Sequence, residues 1–130
     1  MAKFDDSLVA VTSRSFSTNQ FLVKKLKESY PNVSLNLTGK TLKDNELVKF
    51  LANADKAIVG IEIIDKDILD QLPKLKLISK YGVGLNNLDL DECKKRNIQI
   101  KFQPGSNKQA VAEFTLLLML NSLRQVHNNK

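Results

Sequence analysis

Five short apolar runs, each followed by a helix-length segment, constrain this chain more than any other feature. They are Leu8–Thr12, Val33–Leu37, Ala57–Gly60, Leu75–Ser79 and Ile98–Phe102. Runs of four to eight β-branched and aliphatic residues read as strands, and the segments between them carry helical spacing. Phe21, Leu22, Leu26 and Tyr30 form one stripe, with Ser17 or Thr18 as its cap and Pro31 closing it. A segment from about Lys43 to Ala52 buries Leu47, Val48, Phe50 and Leu51, behind a capping-box-like Thr41…Asp44. Asp65–Leu72 is stopped by Pro73, and Asp89–Arg96 is ended by Asn97.

Strands alternating with helices predict a doubly wound parallel α/β sheet with helices on both faces. Two of the runs, Val33–Leu37 and Ile98–Phe102, alternate apolar with polar residues. Alternation marks a half-exposed strand, so these two are placed at the edges, which fits the flavodoxin-like order 2-1-3-4-5. Ligands in such sheets bind beyond the carboxyl ends of the strands. The loops there are Ser13–Ser17, Gly60–Glu62, Tyr81–Asn87 and Gln103–Asn107.

At 130 residues the chain supports one domain with one core. Its net charge of +6 raises nucleic acid as a partner, but the lysines are scattered along helices and aromatics make up only 6%. That excludes a basic surface interleaved with stacking rings. No run of apolar residues is long enough for a membrane span, and the N-terminal residues lack a signal-peptide core. The lone cysteine, Cys93, reads as a reduced, partly buried filler on a short helix, and one Cys with one His makes no metal set. These features predict a cytoplasmic protein without nucleic-acid, membrane or metal partners.

The strand Leu75–Ser79 ends in Tyr81-Gly82-Val83-Gly84. A glycine turn between a strand and a capped helix gathers backbone N–H groups at the sheet edge, where a small anion can sit. Taken alone, Gly82 and Gly84 are better explained as a tight turn without a ligand. Arg14 and Ser15, just past the first strand, read either as a salt bridge to a carboxylate or phosphate or as a solvated loop. Lys80 is expected in solvent, Glu62 on an outward turn, and Glu113 paired with a lysine.

The last helical segment, Gln109–Leu123, is apolar nearly all round. Val111, Phe114, Leu117 and Leu118 are expected to face the sheet, leaving Leu116, Met119, Leu120 and Leu123 on another side. Such a helix must be buried against a partner subunit or a further domain.

The stretch KLKLISKYGVGLNNLDLDECKKRNIQI followed by QPGSNKQAVAEFTLLLML, with the VTSRSF, TGKTL and VGIE segments before it, resembles the first domain of the D-isomer-specific 2-hydroxyacid dehydrogenases. The phosphoglycerate-dehydrogenase-like branch is the nearest in pattern. The resemblance implies a substrate-binding domain over residues 1–130. It implies that the amides around Gly82, Val83 and Gly84 bind the carboxylate of a 2-oxo or 2-hydroxy acid. Tyr81 and the loop of Gly60, Ile61 and Glu62 would line the pocket, with Arg14 and Ser15 beside it. Asn107 and Val111 would lie against an NAD cofactor, and the helix around Val111–Leu123 would form a homodimer contact.

In that family the catalytic Arg, Glu and His and the NAD glycine fingerprint come from a second domain. These 130 residues contain no Gly-x-Gly-x-x-Gly, and the only histidine is His127, in the polar tail. No catalytic residue is therefore assigned, and the chain alone is expected to show no dehydrogenase turnover. Glu62 in the VGIE loop would repel a phosphorylated substrate, with Arg14 able to compensate. The alternative expectation is a truncated, non-catalytic dimeric domain of the same fold that at most binds a small carboxylate. A phosphoacceptor domain would need an acidic cluster after the first strand, where Ser13-Arg14-Ser15 stands instead.

Overall fold

The computed structural model describes residues 5–124; His127 and the tail around it lie outside them. Five parallel strands form one sheet: β1 (Val9–Val11), β2 (Val33–Leu35), β3 (Lys56–Val59), β4 (Leu77–Lys80) and β5 (Gln99–Lys101), in the order β2-β1-β3-β4-β5. The two alternating runs do lie at the edges. The helices are α1 (Arg14–Ser17), α2 (Gln20–Ser29), α3 (Asp44–Leu51), α4 (Lys66–Asp70), α5 (Leu90–Lys95) and α6 (Lys108–Arg124).

Register explains the packing. Ala10, Ala57, Ile78 and Ile100 stand side by side across the sheet. They meet Leu47 and Leu51 of α3, Ile68 and Leu69 of α4, and Cys93 of α5 in one core cluster. The next row, Val11, Ile58, Ser79 and Lys101, faces the other way and changes from apolar to polar across the sheet. Only its apolar half is covered, by Phe16, Leu26 and Tyr30.

Several local expectations are corrected. Ser13–Ser17 is a short helix rather than a loop, capped by Ser13, whose Oγ accepts from Phe16 N–H at 3.4 Å. Asn19, not Ser17 or Thr18, caps α2, its Oδ1 accepting from Leu22 N–H at 3.1 Å. Asn fills this role as well as Ser or Thr does. Phe21 sits at the first turn of α2 and is 67% exposed, because the stripe that meets the sheet runs through Leu26 and Tyr30. The capping box at Thr41 does not form: α3 begins after Lys43 without a side-chain cap. Asp44 takes φ +45°, a left-handed conformation tolerated by Asp better than by most residues. At α5 the sequence signals hold. Asp89 Oδ1 accepts from Glu92 N–H at 3.0 Å, and Asn97 ends the helix at φ +57°.

The largest correction concerns α6. None of its residues is buried; Val111, Phe114, Leu117 and Leu118, expected against the sheet, are 50–60% exposed, and Leu123 is 79% exposed. With no polar stripe, the helix has no side that distinguishes core from solvent. Glu113 accepts from Gln109 Nε2 at 2.9 Å rather than pairing with a lysine.

Candidate functional site

The carboxyl ends of β1, β3 and β4 open on a cleft of about 440 Å³ lined by Ser13, Arg14, Ser15, Thr18, Gly39, Gly60, Ile61, Glu62 and Tyr81. The fold therefore brings together Arg14 and Ser15 of α1, Gly60, Ile61 and Glu62 after β3, and Tyr81 after β4. Ile61 and Glu62 also line a neighbouring cleft of about 410 Å³, with Thr41, Leu42 and Ile63 among its other walls.

Gly60 follows β3, and crowding leaves little room there for a side chain. A Cβ there would lie 3.2 Å from Ser13 Cβ and 3.4 Å from Glu62 Oε2. Glu62 does not turn outward as expected. It is 2% exposed, and its Oε2 accepts from Thr12 Oγ1 at 2.8 Å and from Gly60 N–H at 2.9 Å. A buried carboxylate needs such donors, because its desolvation is otherwise costly. On the opposite wall, Arg14 donates from Nη1 to Gly39 O at 3.2 Å. Asn36 anchors the Gly39 turn by donating to Thr12 O and Lys40 O, each at 2.9 Å. Ser13 and Ser15 hydroxyls are 3.3 Å apart. Tyr81 stands edge-on to Phe16, with ring centres 5.4 Å apart, and is held at the rim.

Gly82, Val83 and Gly84 continue from Tyr81 on the surface. Gly82 and Gly84 are exposed and Val83 is half-buried, so the turn is not sealed in the core. Gly82 adopts φ +148°, a conformation that L side chains rarely take. Among the described residues, no acceptor pairs with the N–H of Gly82, Val83 or Gly84. Adjacent N–H groups without protein partners are of the kind that can hold a small anion when they converge.

Lys80 was expected in solvent, yet it is half-buried. Its Nζ donates to Gly60 O and, at 2.7 Å, to Asn87 Oδ1. Burial pushes its ammonium below the ordinary lysine range, and the Glu62 carboxylate partly offsets that. Asn87 Nδ2 in turn donates to Glu62 O at 2.5 Å. Sequence reasoning assigned no site role to Thr12, Gly39 or Asn87, placed Lys80 in solvent and offered Thr18 only as a helix cap. Their only signal was proximity to loops already marked.

Asn107 and Val111 are exposed at the start of α6 and do not line the cleft. The five glycines fall in separate turns or in the single Gly82-Val83-Gly84 triplet. Among the described residues, no group of three or more His, Cys, Asp or Glu could hold a metal ion, and no helix is long and apolar enough to cross a membrane.

The pattern that defines the catalytic domain of the D-isomer specific 2-hydroxyacid dehydrogenases matches residues 9–126. A hydroxypyruvate reductase of Thermotoga maritima is 31% identical over 93 residues, covering 71% of this chain and 30% of the relative. A glyoxylate reductase of Thermofilum pendens is 43% identical over 82 residues, covering 62% of this chain and 24% of the relative. The chain spans about a third of the length of the curated relatives it matches. Among solved structures, an NAD+-bound 3-phosphoglycerate dehydrogenase of Entamoeba histolytica superposes with a TM-score of 0.78 over 97% of this chain and 42% of that one. At 22% identity this likeness speaks to the fold alone.

Proposed function

Because the chain belongs to the D-isomer specific 2-hydroxyacid dehydrogenase family, we propose that residues 1–130 are the substrate-binding part of an NAD-dependent oxidoreductase acting on a small 2-hydroxy acid. The observation that carries this reading is the exposed Gly82–Gly84 turn, whose three N–H groups lack partners among the described residues. A carboxylate accepting two or three such bonds gains about 1.5–3 kcal/mol from each. In this reading Val83 and Gly84 hold the carboxylate, while Tyr81, Gly60 and Ile61 shape the cleft around the rest of the molecule. Arg14 and Ser15 reach its far end. Glu62, already occupied by Thr12 and Gly60, is a wall rather than a base. Its negative charge disfavours a phosphorylated acid and favours a short, uncharged tail.

NAD, when bound by a second domain, would supply the hydride acceptor. This chain's part is to hold the acid and to present Asn107 and Val111 toward that domain. The Arg, Glu and His that polarise the carbonyl and move the proton belong, in this reading, to the same second domain. The exposed apolar girth of α6 supports a homodimer contact through Val111–Leu123 and equally supports the second reading, a non-catalytic dimeric domain.

Nuclear magnetic resonance titration with glyoxylate, pyruvate and hydroxypyruvate tests the site. Shifts are expected first at the amides of Gly82, Val83 and Gly84; shifts confined elsewhere reject the site. An assay with NADH and the same acids tests the division of labour. No turnover is expected from the 130-residue chain, and steady turnover from the pure chain overturns it. If a longer polypeptide carrying the same residues is equally inactive while still binding acids, the non-catalytic reading replaces the first.

A further inference from the structure

The least expected side chain beside the cleft is Lys80. It is the last residue of β4, and its Nζ donates back to Gly60 O at the end of β3 and across to Asn87 Oδ1 at 2.7 Å. Asn87 then closes the circuit by donating to Glu62 O at 2.5 Å. The same two loops are stitched by backbone bonds, Ile64 N–H to Asn87 O and Asp89 N–H to Ile64 O, each at 2.9 Å. Lys80 also underlies the glycine turn: a Cβ on Gly82 would meet Lys80 Cε at 3.5 Å.

We propose that Lys80 is a positioning residue of the acid-binding turn. Its ammonium group ties the Gly60–Glu62 loop to the loop carrying Asn87, and it offsets the buried Glu62 carboxylate so that an anion is accepted at Gly82–Gly84. The ligand half of this inference rests on the functional reading above; the loop-tying half rests on geometry alone.

Glu62 is 2% exposed and its Oε2 is held only by a hydroxyl and an amide, so its charge is not cancelled by a direct ion pair. An anion arriving at the neighbouring turn meets that field, weakly screened by a half-buried wall. Lys80 is tied to the carbonyl of Gly60, the residue whose N–H Glu62 Oε2 accepts from, and its Cε lies beside Gly82, so it supplies the opposite sign close to both. Carrying an ammonium out of water only to bind two oxygens is a costly way to join loops when a neutral amide would serve. The cost makes sense where the charge itself is used. The downward displacement of the Lys80 ammonium by burial is the same cost seen from the side of proton binding.

The test uses the 130-residue chain with Lys80→Met, Lys80→Arg, Glu62→Gln and the double variant Lys80→Met/Glu62→Gln. Two readouts are taken: amide hydrogen exchange at Ile64 and Asp89, and glyoxylate affinity from the shifts of the Gly82–Gly84 amides. Lys80→Met is expected to speed exchange at both amides and to weaken glyoxylate binding roughly tenfold or more. Lys80→Arg is expected to keep both near wild type. The double variant is expected to regain most of the glyoxylate affinity without regaining exchange protection, a result that a merely structural lysine would not produce. Unchanged exchange in Lys80→Met, or a double variant that binds no better than Lys80→Met, overturns the proposal. If Lys80→Met does not fold, Glu62→Gln alone decides: tighter glyoxylate binding supports the charge offset, and unchanged or weaker binding overturns it. If the wild-type chain binds no 2-oxo acid, the functional reading fails. The loop-tying role is then judged by exchange alone, where loss of protection in Lys80→Met, or in Lys80→Gln should the former not fold, supports it and unchanged protection overturns it.

Discussion

Ile78 and Leu118 are aliphatic side chains of nearly equal hydrophobicity, yet Ile78 on β4 is fully enclosed and Leu118 on α6 is 50% exposed. The difference lies in their neighbours along the chain. Ile78 alternates with residues that face away, so its strand has a definite inner side. Leu118 sits among Leu116, Leu117, Met119 and Leu120, which point in every direction around the helix. Apolar composition drives burial, and periodicity decides against what. The sheet carries both signals, whereas α6 carries only the first.

The widest separation between the two regions is expected in stability. Leu47→Ala, beneath the sheet, should cost about 2–5 kcal/mol in urea unfolding. Leu118→Ala should cost less than about 0.5 kcal/mol in dilute solution, as for a surface change. Equal costs would mean that α6 is packed in the monomer, and the contrast would collapse. A second effect concerns association. Leu117→Glu together with Leu120→Glu should lower self-association in sedimentation experiments at least about tenfold, since each buried leucine is worth about 1.5–3 kcal/mol. The same pair should leave the unfolding of the sheet unchanged.

Gly60→Ala brings the contrast down to a single methyl group. Squeezed between Ser13 and Glu62, it should cost about 1–3 kcal/mol. Gly39→Ala meets no atom within 4 Å, so its cost should be confined to the positive φ of +72°. Thermal unfolding of the two variants distinguishes crowding from backbone preference.

Cys93 sharpens the comparison without a mutation. Burial pushes its thiol above the ordinary range. Alkylation should therefore wait for unfolding of the sheet body, and rapid labelling under native conditions would show the α5 contact to be open.

The smallest effect is a titration at the edge of the body. The Lys56 ammonium holds the Asp5 carboxyl well below the usual aspartate range. A depressed carboxylate adds stability that is present above its unfolded pKa and disappears as pH falls through the folded one. The Asp5 side chain is 44% exposed, so solvent screening keeps the gain small. Asp5→Asn should lower the melting temperature slightly at neutral pH, with the gap to wild type closing well below about pH 4.

Much of the body was legible because its signals are local. Strand order followed from which runs alternate, and the helices expected from Asp65 and Asp89 start there, with both aspartates serving as side-chain caps just outside them. The glycine turn was legible for the same reason. Glu62 was not: an acid in a loop reads outward, and the Thr12 hydroxyl that makes its burial tolerable comes from fifty residues earlier in the chain. Lys80 was misread because Gly60, twenty residues away, provides its acceptor. Asn19 displaced the expected caps Ser17 and Thr18, since Ser17 was drawn into a short helix begun by Ser13. Side chains whose partners arrive only with the tertiary fold leave little trace in their own neighbourhood.

The two rims of the sheet, β2 and β5, are each only three residues long, and Lys101 stands on one of them. A visiting strand finds too few amide and carbonyl groups there to dock, and a lysine would have to be stripped of water. Cross-β growth thus has no foothold on the body. The exposed apolar surface of α6 offers side chains rather than a strand edge, so a contact made there needs nothing from the sheet.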